Sequence, residues 1–593
     1  MSRRKAARPK PATQRKPDLD AMLAEGLALH QRGRIPEAES IYHRVLTELP
    51  DHAQANQLMG LTRLQRGDAD MAVSLLSKAV RLSPDNPQYL CDLGVAQNAA
   101  NQFEEAIRSL TRAIDLKPDY AQAHSNLGMT LKNFRRFAPA VASYREAIRL
   151  RPNEPGFHHN LGNALSALGD LLEAEKAYRR ALDLRPDYPA ALSGLALTLS
   201  ELGRPEEAIV LGLGAIKRQY SVAAYHSTLG RSYREARLPE KAVASFRTAL
   251  ELEPADMEAI RYIALLEKKA SFDSEMSRLV SLIEGGDLNK EQEVNLAYAL
   301  GIWFDDLGEY RKAFDYYERA NAIKRRSDYS SLQQTRADVR VMKKVFSPTP
   351  NWPPLSGDGN SPIFIVGLPR SGKTTLEGML SRHPRAGSAG ELRILSILVD
   401  ELVRKNRVFL DAGHVSNVPN GDWEELADEY IRQARSIVPP GVRPIDTMPP
   451  NFHLVGMIRM ALPSAKVINC VRAPVEHCAE MYKKCFGLGG YGFSTDLAET
   501  AEYYKIYREM MQFWAEALPG FVLDVNVADI MSDPEPSMRR VLAHCGLEYD
   551  SACAVPMTSE PRIGESVLRG SEERAARLAP YRAILAPLLA DNA

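Results

Sequence analysis

A short loop motif carries the residues whose chemistry is easiest to recognise. Gly367, Gly372 and Lys373 stand in the spacing G-x-x-x-x-G-K-T, which is the pattern of a phosphate-binding loop. The apolar run IFIV at 363–366 precedes the motif, and a segment typical of a helix follows it. In that setting backbone N–H groups at the helix N-terminus and the lysine ammonium can bind a phosphate or a similar anion. Because both flanking elements are present, a chance match is disfavoured.

The elements around this loop indicate a parallel sheet. KVINCV at 466–471 and FVLDVNV at 521–527 are further strand-like runs, and helical stretches separate them. Short apolar strands that alternate with helices are typical of a parallel sheet covered on both faces. We therefore assign 363–593 to an α/β P-loop domain. The segment 326–362 is a connecting helix followed by a linker, since five prolines in 347–362 cannot continue a helix.

The part of the chain before this linker repeats itself. Its period of about 34 residues is that of the tetratricopeptide repeat, a helix-turn-helix unit that stacks into a superhelix. Prolines and glycines recur on this period: Pro50, Pro84, Pro118, Pro152, Pro186 and Pro254, and Gly26, Gly60, Gly94, Gly128, Gly162 and Gly230, with Ala196 filling the gap. The small residues allow the two helices of a pair to cross closely, and each proline ends the second helix.

The repeat array is predicted to cover 18–325. Seven regular repeats reach about 254, a modified helix pair follows at about 255–290, and one further repeat contains Gly301 and Ala313. Residues 1–17 are basic and proline-rich, which is typical of a disordered tail. The concave groove of such an array commonly binds a peptide or a protein partner. The sequence leaves open the alternative of a scaffold or dimerisation arm.

Composition excludes several functional classes. Lys plus Arg and Asp plus Glu both total 75, so no overall field favours nucleic-acid binding. No apolar run approaches the length of a membrane span, and no signal-peptide core follows the start. The six cysteines have no paired metal-ligand spacing and are too few for a disulfide scaffold. A reducing compartment, and hence a cytoplasmic protein, is the expectation.

Several segments of the second domain, in order, resemble the sulfotransferase family, and most closely the tyrosylprotein sulfotransferases and their bacterial repeat-fused relatives. The phosphate loop and its helix, GLPRSGKTTLEGML, resemble the sulfotransferase loop, and a Ser-x-His-Pro turn follows at 381–384. The later segments that continue the likeness are GSAGEL at 387–392, MPPNF at 448–452, LPSAKVINCVRAP at 462–474, EYYKIYREMMQFWAEALPG at 502–520 and MRRVLAHCGLEYDSAC at 538–553.

This resemblance implies a reaction and a set of residues. The donor would be 3′-phosphoadenosine 5′-phosphosulfate, and no metal would be needed. Glu391 matches the carboxylate that takes the proton of the acceptor hydroxyl, and Arg472 matches the arginine that binds the 3′-phosphate. The loop residues that would hold the 5′-phosphosulfate are Arg370, Ser371, Gly372, Lys373, Thr374 and Thr375. From the residues alone, Arg472 could instead form a surface ion pair, and Glu391 could favour a helix N-terminus.

The chain departs from the family pattern at three places. Thr447 stands where the family lysine assists the leaving group. Glu480 replaces a serine that follows the 3′-phosphate arginine, and its carboxylate would repel a phosphate unless it is neutralised. The C-terminal segment that contributes a basic cofactor contact in the family is shortened here, and Arg569 is the nearest counterpart of that contact. Lys373 replaces a threonine and could supply the missing ammonium, so Glu391, Arg370 and Lys373 are the predicted catalytic residues.

The resulting prediction is a sulfotransferase that acts on a hydroxyl, with protein tyrosine among the acceptors, while the repeats bind substrate or partner. One alternative is a P-loop kinase or NTPase, favoured by the complete loop motif. It is disfavoured because Asp446 follows only a short, proline-interrupted run instead of a Walker B strand. The other is a non-catalytic scaffold with a degenerate domain, favoured by Thr447 and Glu480.

Overall fold

The chain packs as two compact units, one within 1–220 and the other within 221–593. The structure is a computed structural model, and it describes residues 18–326, 332–354, 361–406, 414–487, 490–555 and 571–590. None of the helices in these ranges is both long and apolar enough to cross a membrane. The change of sequence period lies at 326–362, whereas the division by packing comes earlier, so the later repeats belong with the α/β domain.

The first unit is all helical. Its helices are α1 Leu19–Gln31, α2 Ile35–Glu48, α3 Ala53–Gln65, α4 Ala69–Leu82, α5 Pro87–Ala99, α6 Phe103–Leu116, α7 Ala121–Asn133, α8 Phe137–Leu150, α9 Pro155–Leu168, α10 Leu171–Leu184, α11 Pro189–Glu201 and α12 Pro205–Arg218. They form consecutive antiparallel pairs, which confirms the predicted repeat fold. The recurring prolines stand two residues beyond the second helix of a pair, as Pro84 does after Leu82.

Each recurring glycine lies under a large side chain of its partner helix. A Cβ atom on Gly162 would come within 2.7 Å of Cε1 of Tyr178, and one on Gly128 within 2.9 Å of Cε1 of Tyr144. Such a distance leaves no room for a methyl group against a buried ring. The sixth repeat exchanges the two sizes, since Ala196 stands at the glycine position and Gly212 at the position of the large residue. This exchange explains why the glycine period has a gap there.

The second unit begins with further helices of the repeat type. They are α13 Ala223–Glu235, α14 Pro239–Leu252, α15 Met257–Leu266, α16 Ser274–Gly285, α17 Lys290–Asp306, α18 Tyr310–Arg325 and α19 Leu332–Val345. The short α15 stacks on α14 through Phe246 and Tyr262, whose ring centroids are 5.1 Å apart. Gly301 of α17 lies against Tyr317 of α18, as in the regular repeats.

The remainder of this unit is an α/β domain. Its strands are β1 Ile363–Val366, β2 Ala386–Gly390, β3 Arg443–Asp446, β4 Lys466–Val471 and β5 Val522–Asn526. Its helices are α20 Lys373–Leu380, α21 Ile394–Asn406, α22 Asn420–Arg435, α23 Val455–Ala461, α24 Pro474–Tyr482, α25 Leu497–Ala517, α26 Val527–Ser532, α27 Pro534–Cys545 and α28 Ser571–Leu589. Short 3₁₀ turns lie at 415–417, 449–453, 492–495 and 551–554.

The five strands form one parallel sheet in the order β2-β3-β1-β4-β5. The parallel sheet and the three apolar strands, β1, β4 and β5, are as the sequence predicts. The residues of β2, AGSAG, do not predict a strand, because none of them is β-branched or aromatic. It forms nevertheless, because its backbone pairs with β3 at the edge of the sheet.

A continuous apolar core joins the last repeat to the α/β domain. Trp303, Phe314 and Tyr317 are buried in it. The ring of Phe314 lies 5.1 Å from that of Tyr581 on α28 and 6.2 Å from that of Tyr482 on α24. Within 221–593 the last repeat is therefore part of the same folded body as the sheet.

Candidate active site

The candidate site lies at the carboxyl edge of the parallel sheet. The phosphate loop follows β1, Glu391 follows β2, Thr447 follows β3 and Arg472 follows β4. In a parallel sheet these ends meet at one edge. The strand β1 lies between β3 and β4, so the chain changes direction across the sheet there. Crevices at such a switch point are where open α/β sheets bind ligands.

The backbone of the phosphate loop is shaped by two glycines. Gly367 has φ +136°, and a Cβ atom there would lie 2.7 Å from the carbonyl oxygen of Cys470 on β4. Gly372 has φ +102° and begins α20, and its Cβ would lie 2.3 Å from Cγ2 of Val527. Arg370 also adopts a positive φ, +70°, which is uncommon for a non-glycine residue and recurs at functional sites.

Lys373 is turned back over its own loop. Its Nζ donates to the carbonyl oxygens of Gly367 and Leu368, each at 3.2 Å. Burial lowers the pKa of Lys373, and the nearby Glu391 opposes that shift. The ammonium group therefore lies within the phosphate loop itself.

Ser371 supplies an unsatisfied polar group in the same loop. Its side chain is fully buried, and its hydroxyl has no hydrogen-bond partner in the part of the chain that the structure describes. Buried hydroxyls are normally hydrogen-bonded, so an anion in the loop would satisfy this one. Thr375 is buried beside it, whereas Thr374 is exposed. The buried, unsatisfied Ser371 hydroxyl makes the loop suited to bind an anionic group.

Glu391 lies on a turn after β2 that two buried carboxyl groups, those of Glu377 and Asp446, stabilise. Glu377 of α20 accepts a hydrogen bond from Ser388 at 2.5 Å. The carbonyl oxygen of Gly390 also accepts one from the Thr447 amide at 2.9 Å. The Glu391 side chain reaches the surface, but desolvation by the surrounding protein raises its pKa, which Lys373 opposes. A carboxyl group with a raised pKa at a sheet edge is suited to proton transfer.

The second of these carboxyl groups belongs to Asp446 at the end of β3. It is fully buried and accepts from the amides of Met448 at 2.9 Å and Leu392 at 3.4 Å. Tyr430 donates to its other oxygen at 2.8 Å. Burial raises the pKa of Asp446 to about 7, against the lowering effect of these bonds. Asp446 thus ties the turn that follows β2 to the loop that follows β3.

Arg472 is part of a buried ion pair rather than the surface ion pair that the sequence also allowed. Its side chain is 2% exposed, and Nη2 donates to Glu476 at 2.6 Å. Its Nη1 donates to the carbonyl oxygen of Arg370 at 3.3 Å, which places the guanidinium beside the phosphate loop. Glu476 also pairs with Arg574 of α28. Arg370 and Arg472 are therefore brought close together.

Glu480 is neutralised by the cations around it. Its carboxylate lies 3.7 Å from Nη2 of Arg370 and 3.4 Å from Nη1 of Arg577 on α28. Burial acts to raise the pKa of Glu480, but Arg577, Lys483, Arg472 and Arg370 outweigh it, so the pKa is well below its usual range. The repulsion that an unpaired carboxylate would exert on a phosphate is thereby reduced.

Several residues of this site have no sequence motif. Arg574 and Arg577 lie on a helix about a hundred residues beyond Glu476 and Glu480, and no spacing rule connects them. His477 donates a hydrogen bond from Nε2 to the carbonyl oxygen of Pro369 in the loop, at 2.9 Å. Arg569, the predicted C-terminal contact, lies outside the described residues. In the described ranges no three His, Cys, Asp or Glu side chains are grouped as metal ligands, and the metal-free reaction stays a prediction.

Comparison with known families agrees with the two kinds of fold in this chain. Residues 362–551 match the model of the sulfotransferase family. Tetratricopeptide-repeat models match 29–93, 98–133, 136–169, 157–219 and 223–256. The C-terminal region is therefore a sulfotransferase-family domain. The chain as a whole joins that domain to tetratricopeptide repeats.

Two curated relatives are distant and longer than the region they share. An uncharacterised protein of Aquifex aeolicus is 24% identical over 347 residues, which are 54% of this chain and 44% of that protein. A Caenorhabditis briggsae protein, provisionally named a protein-tyrosine sulfotransferase, is 23% identical over 188 residues, or 32% of this chain and 66% of its own. The chain thus spans less than two thirds of each relative.

Solved structures similar to part of the chain are repeat proteins. PilF of Pseudomonas aeruginosa is 20% identical with a TM-score of 0.31, and the match covers 35% of this chain and 94% of that one. The Cut9–Hcn1 tetramer of the APC/C is 18% identical with a TM-score of 0.36, over 51% and 55%. At these TM-scores neither carries an argument about this chain.

Proposed function

We propose that this protein is a sulfotransferase that uses 3′-phosphoadenosine 5′-phosphosulfate as donor and a hydroxyl group as acceptor. The observation that carries the proposal is the assembly, at one edge of a sulfotransferase-family domain, of an anion-binding loop, a carboxyl group with a raised pKa and two neighbouring arginines, of which Arg472 is buried. Arg370 and Lys373 provide the charge for the phosphosulfate. Arg472, beside the loop, is suited to the 3′-phosphate.

The proposed reaction assigns one role to each group. The acceptor oxygen forms a bond to sulfur while the bond between sulfur and the phosphate oxygen breaks. Glu391 takes the hydroxyl proton, and adenosine 3′,5′-bisphosphate leaves with the bonding electrons. Lys373 and the loop N–H groups stabilise the charge that develops on the leaving phosphate. Thr447 cannot contribute an ammonium there, so this role belongs to Lys373.

For the acceptor we propose the hydroxyl group of a protein tyrosine. The name of the Caenorhabditis briggsae relative supports a protein tyrosine, and an array of repeats suits a peptide or protein ligand. We propose that the repeats bind this substrate or a partner that delivers it. The six thiols are free in the structure, which supports a reducing, cytoplasmic setting.

Donor binding can be tested by thermal unfolding of the full chain. A ligand that binds only the folded state raises the melting temperature. Adenosine 3′,5′-bisphosphate should raise it, and Arg472→Ala should remove most of that rise. ATP with magnesium should have a much smaller effect. If ATP with magnesium stabilises the protein and the 3′-phosphorylated nucleotide does not, the alternative of a P-loop kinase or NTPase replaces the proposal.

An assay of sulfuryl transfer distinguishes an enzyme from a non-catalytic scaffold. The protein, a radiolabelled donor and a set of tyrosine-containing peptides would be incubated, and label on peptide would be measured. Label on at least one peptide, lost in Lys373→Ala, is the expected result. Nucleotide binding without transfer to any peptide, serine-containing or small phenolic acceptor would support the degenerate scaffold.

A further inference from the structure

A row of buried charges of alternating sign connects the last repeat to the phosphate loop. Asp305 is on α17, Arg577 on α28 and Glu480 on α24, and Arg370 is in the loop. Arg577 donates to Asp305 from Nε at 2.8 Å and from Nη2 at 2.6 Å. Its third nitrogen, Nη1, lies 3.4 Å from Glu480, whose other oxygen lies 3.7 Å from Arg370. The four residues form an unbroken sequence of ion pairs within 221–593.

These ion pairs are held away from water. Asp305 is 7% exposed and Glu480 6%, and the side chain of Arg577 is 13% exposed. Lys483 lies 3.4 Å from Asp305 and adds a second cation to that end. Burial acts to raise the pKa of Asp305, but Lys483 and Arg577 outweigh it, so the pKa is lowered. Buried charges interact strongly, and removing one partner leaves the other uncompensated.

Arg577 pairs with two carboxylates, those of Asp305 and Glu480. One is in a repeat helix, far from the chemistry, and the other faces the loop arginine. The two hydrogen bonds from Nε and Nη2 to the same oxygen of Asp305 orient the guanidinium, and this orientation determines which nitrogen reaches Glu480. If Asp305 loses its charge, Arg577 loses that anchor. The contact of Arg577 with Glu480 is then no longer fixed, and Glu480 competes more strongly with any anion for Arg370.

We infer that Asp305 of the last repeat is a positioning residue for the phosphate loop, acting through Arg577 and Glu480 on Arg370. The inference rests on the proposed function for the identity of its ligand. It assigns the last repeat a part in donor binding that is separate from the binding of a peptide in the groove. The last repeat and the sulfotransferase-family domain then share one site.

The test is a set of dissociation constants for adenosine 3′,5′-bisphosphate, measured calorimetrically on the full chain. Asp305→Asn should weaken binding about 3- to 30-fold, the range expected for residues coupled in one charge network. Asp306→Asn is the matched control, because it makes the same charge change on the same helix, where Asp306 accepts from the Lys269 amide. It should stay within about twofold of the parent.

A double variant tests whether Asp305 acts through Glu480. Glu480→Gln should tighten binding, because Arg370 no longer faces a carboxylate. In the Glu480→Gln protein, Asp305→Asn should then change the constant by less than about twofold. An equal loss in both backgrounds would overturn the inference, as would an Asp305→Asn protein that binds like Asp306→Asn. Asp305→Glu keeps the charge but moves the carboxylate by one methylene, so its affinity should lie between those of the parent and of Asp305→Asn. If Asp305→Asn does not fold, Asp305→Glu takes its place, and weaker binding than the parent is the expected result.

A second measurement does not depend on the nucleotide. Hydrogen exchange at the amides of 367–372 should differ between Asp305→Asn and Asp306→Asn, because Asp305→Asn changes how Glu480 holds Arg370 and Asp306→Asn does not. If the parent fails to bind adenosine 3′,5′-bisphosphate, the proposed donor is wrong, and the exchange data alone decide the inference. Equal exchange in the two variants would then overturn it.

Discussion

At the scale of single residues, the candidate site is a balance of buried charges. Arg370, Arg472 and Lys373 bring positive charge to the loop, and Glu476 and Glu480 hold the two arginines in place. The cost of burying these ions is offset by their pairing and by hydrogen bonds to backbone carbonyls. An incoming anion therefore meets cations that are already oriented.

Glu391→Gln tests the proposed base. The amide cannot accept the acceptor proton, so turnover should fall by about 10²-fold or more, while the affinity for the donor should hardly change. In the parent, desolvation raises the pKa of Glu391, and a general base acts only when it is deprotonated. The rate should therefore fall as the pH drops through this raised pKa, at a higher pH than for an ordinary glutamate. This fall should be absent in the variant. Glu401→Gln, on the exposed side of α21, is the control. Full activity in Glu391→Gln would remove this residue from the mechanism.

Lys373→Thr tests whether the loop lysine has replaced the ammonium that Thr447 lacks. If so, the variant loses a charged contact to the leaving phosphate, which corresponds to about 3–4 kcal/mol of transition-state stabilisation, or 10²–10³ in kcat. Adding Thr447→Lys should restore part of the rate, because Thr447 is buried beside the Glu391 turn. A Lys373→Thr protein that transfers sulfate as fast as the parent would contradict this assignment. Single-turnover rates at saturating donor are the appropriate measurement.

At the scale of elements, close helix pairs depend on matched sizes across each pair. The recurring glycine and the large residue sixteen positions later form a complementary contact, as Gly162 and Tyr178 do. The exchange of Ala196 and Gly212 preserves the complementarity with the roles reversed. Close packing of this kind tolerates neither added nor missing atoms without cost.

Two glycine substitutions should therefore have opposite effects on stability. Gly162→Ala places a methyl group 2.7 Å from the buried Tyr178 ring, and overpacking of this kind costs about 1–3 kcal/mol. Gly214→Ala meets nothing closer than 3.6 Å, so the helix should gain up to about 1 kcal/mol. Urea unfolding of the full chain, followed by circular dichroism, should show a lower midpoint for the first and a higher one for the second. A higher midpoint for Gly162→Ala would mean that the Tyr178 ring moves aside freely.

At the scale of the whole molecule, the repeat pattern and the packing divide the chain at different places. The sequence predicts that a repeat fragment ends near residue 325, where the period changes. The packing instead places 221–325 in the same unit as the α/β domain. Trp303, Phe314 and Tyr317 are buried there, and the Asp305 carboxylate is paired with Arg577.

Fragments should reveal which division governs folding. We expect 18–220 to be soluble and almost wholly helical by circular dichroism, because repeats are stabilised by their neighbours. The fragment 18–325 should expose an apolar surface and bind a hydrophobic dye or aggregate, and 326–593 should not fold alone. The fragment 221–593 should fold and should bind adenosine 3′,5′-bisphosphate if the proposed donor is correct. A well-folded, dye-free 18–325 would favour the boundary drawn from the sequence.

The sequence alone was sufficient for the features that depend on local order. A period of about 34 residues identifies the repeats because stacked units need small residues and helix ends at fixed positions. The phosphate loop is recognisable because its glycines have conformations that other residues rarely adopt, as the φ values of Gly367 and Gly372 show. The strands β1, β4 and β5 are predictable because each is a short run rich in β-branched residues between helical segments.

The tertiary structure alone decided how charges from distant segments meet. Nothing in the sequence pairs Asp305 with Arg577, or Arg577 with Glu480, because an ion pair between elements has no spacing rule and depends on how helices pack. The strand β2 is a similar case, since pairing with β3 determines its conformation and not its own side chains. For the same reason Glu480, which reads as a departure from the family pattern, proves to be a neutralised group in the folded chain.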